Sequence, residues 1–510
     1  MSIGNKKINS IVIAGGGTSG WMTAAALSKH FEGKPIDITL IESSQIGTIG
    51  VGEATIPTLR RFYNKLGLSD LDVIKATAAT CKLGIEFKDW YKKDTSFIHP
   101  FGIYGQGTQQ VPFHHYWMKA KLSGDTAALA EYSLGVKLAK ENRFSLPARK
   151  PESQLEIFDW ALHFDATLFA DLMREYSLKN GVTIVDNKIV DVELSDSDGS
   201  IDALVFENGA IQTGSLFIDC TGFQSLLTRK ALKTEFEDWS EWLVCDRAIA
   251  VQSETIGEPL ARTISQAHEA GWQWKIPLQH RMGNGLVYSS KYTDDEAAEK
   301  CLLANIEGKA LNQPRKFSFT PGRVKSAWNK NCIAVGLSSG FLEPLESTSI
   351  ALVETAIEKI IRSFETTQYN QKTIDKFNDV TILEYERVRD FIILHYKANQ
   401  RTDSPMWEFC RNMELPEKLA EKINAYKTKG DVIQYPWEIF GKDSWLAIFD
   451  GFNMYPDKYN NQADNMELDY LQKNLNYMKE RVRQSVEAAP MHSEFLKKHC
   501  HFIPKDKSGI

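Results

Sequence analysis

The stretch that decides the fold reads Ile11-Val12-Ile13-Ala14-Gly15-Gly16-Gly17-Thr18-Ser19-Gly20. Four apolar residues before a glycine turn are typical of a short buried strand, and Trp21 to Phe31 carries the apolar spacing of a helix. A second strand, Ile36 to Ile41, is closed by Glu42, which stands 22 residues after Gly20. The order strand, glycine turn, helix, strand predicts a dinucleotide-binding unit within residues 8–60, with Glu42 suited to a pair of ribose hydroxyls.

The glycines fit the pattern Gly-x-Gly-x-x-Gly, in which each position has its own task. Gly15 makes the tight turn, Gly17 lets the backbone approach a pyrophosphate, and Gly20 permits close packing of the helix on the strand. Thr18 and Ser19 precede the predicted helix, whose N-terminal N–H groups and positive dipole end attract phosphates. NAD and FAD share this fingerprint, so other residues must decide between the two cofactors.

The remainder of the chain changes from mixed to helical sequence near residue 350. Residues 245–340 alternate apolar and polar positions, which is typical of an antiparallel sheet. We expect an α/β fold, with a dinucleotide-binding core over residues 1–350 and a helical C-terminal subdomain over residues 351–510 packed on it. The other predicted elements are a helix over 168–179, a strand over 183–185, a hairpin around 196–199, and helices over 350–364, 374–396 and 466–488.

Composition places the chain among ordinary globular enzymes. It has 510 residues, 43% of them hydrophobic and 25% charged, and its net charge of −6 gives no reason to expect nucleic acid as a partner. Seven scattered cysteines without a Cys-x-x-Cys pair predict reduced thiols in the cytoplasm, with neither disulfides nor a zinc site. Because the adjacent side chains of His114 and His115 should diverge, we expect no metal there. No run of about 18 apolar residues occurs, so no membrane span is expected, and either a monomer or a homodimer is consistent with the sequence.

Two further segments carry a resemblance to a known family. They read Gly271-Trp272-Gln273-Trp274-Lys275-Ile276-Pro277 and Phe341-Leu342-Glu343-Pro344-Leu345-Glu346-Ser347-Thr348. Together with the glycine turn, they resemble the flavin-dependent halogenases of the tryptophan-halogenase family, in which the Trp-x-Trp-x-Ile-Pro segment stands between the flavin and the organic substrate. The resemblance covers nearly the whole chain. Its motifs are specific up to about residue 350, and it weakens after about residue 430.

The resemblance implies a Rossmann-like core of the flavin-monooxygenase type that binds FAD, used as FADH2. Residues 50–57, 219–222 and 336–340 are similar to flavin-side segments of such proteins. No second glycine fingerprint for NAD(P)H is visible, which implies a separate NAD(P)H-dependent flavin reductase and a reduced flavin that diffuses between the two proteins. The further FAD-binding residues implied are Ala54, Ile189 near the adenine, Leu337 in the segment that reaches the isoalloxazine, and Ile350.

Lys82 is the candidate for halogen transfer. By pattern alone, alternation puts Leu83, Ile85 and Phe87 on one face and Lys82 on the other, which favours a solvated strand edge. The pattern Lys-x-x-Ile-x-Phe-x-x-Trp, ending at Trp90, resembles the segment that bears the required lysine of the halogenases. This resemblance implies that Lys82 delivers hypohalous acid, either by donating a hydrogen bond to it or by trapping it as a haloamine. The sequence leaves these two alternatives open.

Glu346 precedes the helix predicted from Ile350, where acidic residues are common because of the helix dipole. The match to Pro-Leu-Glu-Ser-Thr implies instead a carboxylate that polarises the halogen donor and accepts the ring proton. Thr348 and Ser349 open the same helix, whose N–H groups attract an anion, and they are the expected halide site. The family commonly has glycine at the position of Ser349, a mild departure because the proposed contact is through the backbone.

Four aromatic or imidazole side chains are expected at the substrate. Trp272 and Trp274 would form a wall that keeps the substrate from the flavin while hypohalous acid passes, and the alternative is two packed core aromatics. His99 and Phe101 lie in His-Pro-Phe-Gly, which is similar to the segment that sandwiches the indole ring in the family. The alternative for His99 is a buried structural histidine.

The expected function is FADH2- and O2-dependent halogenation, with chloride or bromide, of an electron-rich aromatic such as indole. The alternatives are a flavin-dependent aromatic hydroxylase and a non-catalytic flavin-binding protein. In tryptophan halogenases a glutamate shortly before Phe-Trp-Asn helps to hold the zwitterion, but here Tyr435 takes the place of the glutamate and residues 439–441 read Ile-Phe-Gly. Because a buried ammonium would then be unpaired, we expect an indole without the amino-acid part. Glu438 would restore the contact if the local register differs.

Overall fold

A computed structural model describes residues 6–45, 52–364 and 366–503. The chain divides into two compact units, each assembled from three segments. Unit 1 consists of Met1–Thr77, Phe164–Asp246 and Phe317–Glu386, and unit 2 consists of Ala78–His163, Arg247–Lys316 and Arg387–Ile510. Both units therefore contain residues from either side of residue 350, and the boundary expected there stays a prediction.

Unit 1 is built around a six-stranded sheet. Its strands are parallel except for the antiparallel edge strand Trp328–Asn329. Parallel sheets are buried on both faces, which explains why Ile11, Val12 and Ile13 form a continuous apolar run with almost no exposed surface. The order of the strands is Trp328–Asn329, Cys332–Ala334, Leu216–Asp219, Ser10–Ala14, Asp37–Glu42 and Thr183–Asp186.

The first helix of unit 1, Thr18–His30, begins three residues before the predicted start because Gly17 already serves as its N-cap. It packs against Ala166–Lys179 and Ser349–Ser363. Asp165 is the N-cap of the helix Ala166–Lys179, since its carboxylate accepts hydrogen bonds from the N–H groups of Thr167 and Leu168. The other helices and turns in unit 1 are Thr58–Lys65, Asp70–Ala76, Gly222–Gln224, Leu226–Ala231, Gly336–Ser338 and Leu345–Ser347.

Three smaller sheets and the strand Gly52–Ala54 complete the strands of unit 1. The hairpin predicted around residues 196–199 is present, and its strands Ile189–Leu194 and Ile201–Phe206 pair antiparallel. The remaining strands are Ile211–Thr213 beside this hairpin, Phe236–Asp238 with Gly322–Val324 and Gly340–Phe341, Lys6–Lys7 with Gln368–Tyr369, and Gly52–Ala54.

Unit 2 contains a large sheet with mainly antiparallel pairing. One pair, Thr263–His268 with Gly84–Lys88, is parallel. The antiparallel sheet expected over residues 245–340 is wrong in two places. Asp295–Ala304 is a helix, because the Asp294 carboxylate caps it by accepting the Ala297 N–H. Cys332–Ala334 is a parallel strand, because the segment Phe317–Glu386 belongs to unit 1 and this strand pairs with Leu216–Asp219. The strands in order are Arg315–Ser318, Arg247–Ser253, Met282–Tyr288, Gly271–Pro277, Thr263–His268, Gly84–Lys88 and Ser96–Pro100.

Helices make up much of the rest of unit 2. The prediction of helical sequence after residue 350 agrees with the structure, including the long helix predicted over 466–488. No helix in the described part of the chain is long and apolar enough to cross a membrane. The helices are Phe113–Leu122, Leu134–Lys140, Pro405–Asn412, Glu417–Lys429, Lys442–Gly451, Leu468–Ala488 and His492–His499. Three elements have residues in both units: the helix Gln371–Lys397 and the strands Ala161–Asp165 and Arg315–Ser318.

Candidate active site

The glycine turn lies at the carboxyl edge of the parallel sheet in unit 1. Gly15 follows the strand Ser10–Ala14 with a φ of +115°, a conformation that favours glycine. A Cβ atom on Gly15 would lie 2.2 Å from the Cys220 carbonyl oxygen, and one on Gly20 would lie 1.9 Å from the Gly15 carbonyl oxygen. These two positions require glycine because the chain itself approaches them.

Gly17 differs from the other two glycines because it faces open space. Nothing in the described residues lies within 4 Å of the position that its Cβ atom would take. No side chain caps the start of the helix Thr18–His30, so Thr18 and Ser19 present backbone N–H groups at a positive dipole end. Open space beside a glycine and an uncapped helix start suit a pyrophosphate.

A second turn meets the glycine turn at this edge. The strand Cys332–Ala334 leads into Gly336, whose φ is +68°. A Cβ atom on Gly336 would lie 3.0 Å from the Cβ of Ser19, so the two turns are in close contact. Leu337, the candidate near the isoalloxazine, follows directly and is half-buried.

Asp219 joins a third turn to this arrangement. The fully buried carboxylate ends the strand Leu216–Asp219 and accepts hydrogen bonds from the Thr221 hydroxyl (2.6 Å) and the Ser338 hydroxyl (3.0 Å). Its other oxygen accepts the N–H groups of Leu227 (3.1 Å) and Thr228 (2.8 Å). The sequence drew attention to the segment of Asp219 but did not select the residue. The structure shows that the Asp219 carboxylate joins the turns at this edge of the sheet.

Glu42 ends the strand next to the glycine turn, as the fingerprint predicts. A Cβ atom on Gly16 would lie 2.3 Å from Glu42 Oε2, and Arg174 lies 3.5 Å from Oε1. Gly50 and Val51 of the predicted flavin-side segment lie outside the described residues. The other candidates are placed in unit 1 as follows: Ala54 ends Gly52–Ala54, Ile189 begins Ile189–Leu194, and Ile350 lies in the first turn of Ser349–Ser363.

These features together fit a dinucleotide. Three turns follow adjacent parallel strands, and ligands of open α/β sheets bind outside the carboxyl ends of such strands. Backbone N–H groups at a helix start are donors suited to phosphates, and one acidic side chain is an acceptor suited to ribose hydroxyls. Unit 1 therefore fits the expected FAD.

The segment that carries Glu346 has a strained backbone. Glu343, Glu346 and Ser347 have φ angles of +66°, +63° and +60°, a region that costs a non-glycine residue about 1–3 kcal/mol. The side chain of Glu346 is buried, with 1% of the residue exposed, and so is that of Glu343. Glu346 is therefore not the exposed helix-start residue that the dipole pattern describes. Buried carboxylates on a strained segment are typical of functional sites.

The helix Ser349–Ser363 begins directly after this segment. Thr348 is its N-cap and is buried, Ser349 is half-buried, and no side chain caps the helix start. The Thr348 carbonyl accepts the Leu352 N–H at 2.9 Å, so the N–H groups before Leu352 precede the intrahelical ladder. This is a place that a small anion can occupy.

Lys82 belongs to unit 2 and lies at the end of the short strand Thr80–Lys82. This strand is separate from Gly84–Lys88 and pairs with Ala161–Asp165, with Lys82 opposite Ala161. Lys82 is 0% exposed, so the solvated edge favoured by alternation is wrong. The reason is that Lys82 belongs to a separate strand that is buried along its whole length. The Lys82 Nζ lies 5.2 Å from the centre of the Phe101 ring, within the range of a cation–π contact.

The Phe101 ring links Lys82 to the other candidate substrate residue. The rings of Phe101 and His99 are 6.5 Å apart between centroids, and His99 is buried. His99 also packs against Phe391 (5.8 Å) and Phe440 (6.1 Å), which stack on each other at 4.0 Å. Unit 2 therefore brings Lys82, Phe101 and His99 together, and part of the surroundings of His99 is filled by the protein itself.

Trp272 and Trp274 lie on the strand Gly271–Pro277, and their ring centroids are 6.1 Å apart. Both side chains point to one face of the sheet, as their spacing predicts. Trp272 packs at 6.1 Å from Trp90, in agreement with the core interpretation for that ring. Trp274 lies over its cross-strand neighbour Gly285, where a Cβ atom would be 2.0 Å from the ring. Gly285 thus makes room for Trp274.

Glu438, which the sequence left as a possible ammonium partner, is already paired. Its Oε1 accepts a hydrogen bond from the Lys422 ammonium at 2.5 Å, and its Oε2 accepts one from the Gln434 amide at 2.6 Å. The side chains of Lys422 and Glu438 are 1% and 2% exposed. Lys422 also lies 3.7 Å from the centre of the Trp445 ring. Burial raises the pKa of Glu438 and lowers that of Lys422, and their mutual hydrogen bond opposes both shifts.

The rings of His114 and His115 lie 4.1 Å apart rather than diverging. Each is engaged by the chain, since His114 Nε2 lies 2.8 Å from the Gly430 carbonyl oxygen and His115 Nδ1 accepts the Asn460 N–H at 3.2 Å. Within the described ranges, no group of three or more His, Cys, Asp or Glu side chains could hold a metal ion.

Comparison with known proteins gives the family. The family model of the tryptophan halogenases matches residues 10–468. The 7-chloro-L-tryptophan 6-halogenase KtzR of Kutzneria sp. (strain 744) is 36% identical over 452 residues, which are 82% of this chain and 85% of KtzR. The tryptophan 7-halogenase RebH of Lentzea aerocolonigenes is 32% identical over 533 residues, which are 96% of this chain and 98% of RebH.

A solved structure agrees with these relatives. BrvH, a flavin-dependent halogenase from Brevundimonas sp. BAL3, matches with a TM-score of 0.94 and 51% identity, covering 96% of this chain and 99% of BrvH. The fold class predicted from the sequence is therefore confirmed. Because the family model spans most of the chain and the relatives match along nearly their whole length, the chain belongs to the tryptophan halogenase family and is a flavin-dependent halogenase.

Proposed function

We propose that this enzyme halogenates indole, or an indole without the amino-acid part, with chloride or bromide. The observation that carries the proposal is the buried Lys82 amine at 5.2 Å from the Phe101 ring centre. A buried amine beside an aromatic side chain can bind a small neutral oxidant and present it to an aromatic substrate. The pairing of Glu438 with Lys422 supports a substrate without an ammonium group.

FAD would be held by Gly15, Gly17, Thr18, Ser19 and Gly20, with Glu42 at the ribose. Ala54, Ile189, Leu337 and Ile350 are the further candidates for contacts with FAD. When bound in its reduced form, FAD supplies the two electrons with which oxygen and halide yield hypohalous acid and water. The chain has no second glycine fingerprint, so we propose that a separate reductase supplies the reduced flavin. The uncapped start of Ser349–Ser363, at Thr348 and Ser349, would hold the halide through backbone N–H groups.

Lys82 would hold the halogen during transfer. As an ammonium it donates a hydrogen bond to hypohalous acid, and as a neutral amine it forms a haloamine with loss of water. In either case the ring carbon bonds to the halogen while the bond from halogen to oxygen or nitrogen breaks. Glu346 would polarise the halogen donor and then accept the proton that the ring loses. Trp272 and Trp274 would keep the organic substrate away from the flavin.

The free cysteines of the chain support a cytoplasmic location as part of this proposal. No disulfide joins the seven cysteines, all of which lie in the described ranges, and cytosolic thiols are kept reduced. A reductase that shares this compartment could supply reduced flavin by diffusion.

The test is a reaction with FAD, a generic flavin reductase, NADH, indole and either bromide or chloride, followed by product mass. We expect a halogenated indole whose formation requires the halide. Oxygen added to indole without halide would instead show the alternative hydroxylase. Flavin binding without any product would show a non-catalytic flavin protein.

A further inference from the structure

The strand that bears Lys82 is held by two histidines from distant parts of the chain. His163 lies directly opposite Thr80 in the antiparallel pairing. His492, at the start of the helix His492–His499, reaches the backbone of Cys81 from 411 residues away. Both residues that precede Lys82 are therefore bonded to an imidazole, and all of these residues are fully buried.

The hydrogen bonds around Thr80 determine the tautomer of His163. The Thr80 hydroxyl donates its proton to the Pro277 carbonyl oxygen at 2.7 Å. It must therefore accept a hydrogen bond from His163 Nδ1, which lies 2.9 Å away. The other ring nitrogen, Nε2, lies 2.9 Å from the Thr263 hydroxyl and accepts its proton when the ring is neutral. The result is a directed chain from Thr263 through His163 and Thr80 to Pro277.

The hydrogen bonds of His492 allow one state of its ring. The Cys81 backbone N–H donates to His492 Nε2 at 3.1 Å, so this nitrogen carries no proton. Nδ1 then carries the proton and donates it to the Pro259 carbonyl oxygen at 3.0 Å. A protonated His492 would place two N–H groups against each other and break the bond to Cys81.

Burial keeps both rings in the neutral state that these bonds need. Burial lowers the pKa of His492 to about 4. Burial, together with the nearby charge of Lys82, holds the pKa of His163 well below its usual range. Near pH 7 both rings are therefore neutral.

We infer that His492 and His163 are positioning residues, which hold the Lys82 amine in its place by fixing the backbone and side chain of the two preceding residues. This inference rests on the proposed role of Lys82 in halogen transfer. The backbone ladder places Lys82 opposite Ala161, and the imidazole bonds to Thr80 and Cys81 add two further anchors directly before it. A displacement of about 1 Å at a reacting group can cost about a hundredfold in rate.

The test compares variants that remove a hydrogen bond with variants that keep it. Thr80→Val removes the hydroxyl at nearly constant shape, whereas Thr80→Ser keeps it. His492→Leu removes the acceptor for the Cys81 N–H, whereas His492→Gln keeps an oxygen acceptor. His114→Leu is the matched control, because His114 is another buried histidine of unit 2 that binds the Gly430 carbonyl instead. Each variant is assayed for kcat and KM with indole and bromide, for FAD binding and for Tm.

We expect Thr80→Val and His492→Leu to lower kcat about ten- to a hundredfold, with KM for indole and FAD binding nearly unchanged. Thr80→Ser and His492→Gln should recover most of kcat. His114→Leu should lower Tm without lowering kcat. If His492→Leu does not fold, the pair at Thr80 decides by itself.

Lys82→Ala, assayed in parallel, separates two failures. If Lys82→Ala is inactive while folded Thr80→Val and His492→Leu keep wild-type kcat, the positioning role is wrong and the proposed function stands. If Lys82→Ala keeps wild-type activity, the role of Lys82 in the proposed function is wrong and the positioning role falls with it.

Discussion

Lys82 is a basic side chain that the fold removes entirely from water. Burying an amine costs free energy, which must be recovered by contacts such as the Phe101 ring at 5.2 Å. A protein gains nothing in stability from such a residue, because an apolar side chain would serve the core better. The position of Lys82 is therefore best explained by its chemistry.

At this residue we predict that Lys82→Ala abolishes halogenation and leaves FAD binding and oxygen consumption by reduced flavin nearly intact. The flavin candidates lie in unit 1, whereas Lys82 lies in unit 2. Lys88→Ala is the control, because Lys88 is a partly exposed lysine of the neighbouring strand. Product formation is measured by mass and oxygen uptake by electrode. Undiminished product from folded Lys82→Ala would remove Lys82 from the mechanism.

Glu346 is the second residue that carries a prediction. We expect Glu346→Gln to fold normally and to slow turnover by about a hundredfold, the usual scale for loss of a positioned acid–base group. Glu343→Gln is the comparison, because Glu343 is equally buried on the same strained segment. If the rate of Glu346→Gln stays within about twofold of wild type, the carboxylate is structural. Equal losses in both variants would point to the segment rather than to Glu346.

The helix Ser349–Ser363 has the proposed halide site at its N-terminus and a buried carboxyl group, Glu354, one turn further on. Glu354 lies one turn after Ile350 with 6% of its surface exposed, and burial raises its pKa to about 8. In the unfolded chain the pKa is about 4.5, so between these two values the folded state binds one proton more. The stability contributed by this carboxyl is therefore complete below pH 4.5 and is lost as the pH rises towards 8.

We predict that Glu354→Gln gains stability over wild type as the pH rises from 5 to 8. The difference between the ends of this range should approach about 3 kcal/mol, since each unit of pKa shift corresponds to about 1.4 kcal/mol. The measurement is Tm of both proteins at several pH values. Glu207→Gln is the control, because Glu207 is an exposed glutamate elsewhere in unit 1. A gain in Tm that does not change with pH would contradict the shifted pKa.

The segment after Glu417–Lys429 carries a prediction about the substrate. Glu438 is occupied by Lys422 and Gln434, so it does not offer a carboxylate to a zwitterion. In a competition assay with equimolar indole and tryptophan, we expect faster halogenation of indole. The double variant Lys422→Met/Glu438→Gln removes both charges together and should leave the preference unchanged. Faster halogenation of tryptophan by the wild type would contradict the prediction.

At the scale of the whole molecule, the flavin candidates and the aromatic candidates belong to different units. The chain offers one glycine fingerprint, and the proposed function has the flavin reduced by a separate reductase. We predict that FAD binds weakly and exchanges, and that NADPH alone does not reduce it. Gel filtration of the loaded protein and a stopped-flow trace with NADPH are the measurements. Rapid stoichiometric reduction without an added reductase would show an internal NADPH site.

Local sequence by itself determined the carboxyl edge of the parallel sheet. Four apolar residues form the buried strand Ser10–Ala14, and Gly15 follows where φ is +115°. Both outcomes depend on backbone sterics and on the periodicity of neighbouring residues. The predicted hairpin around residues 196–199 and the helices after residue 350 followed from the same local rules. The motif residues were also found by sequence, because their spacing resembles a family.

Only the tertiary structure decided which of these side chains are buried and what they contact. The alternation of the sequence placed Lys82 on a solvated strand edge, whereas packing buries it. His492 accepts a hydrogen bond from the Cys81 N–H although the two residues are 411 positions apart. Likewise, Glu438 looked available in the sequence, but Lys422 from the preceding helix neutralises it. These contacts join residues from separate elements, so they depend on how the elements pack and not on the pattern within any one of them.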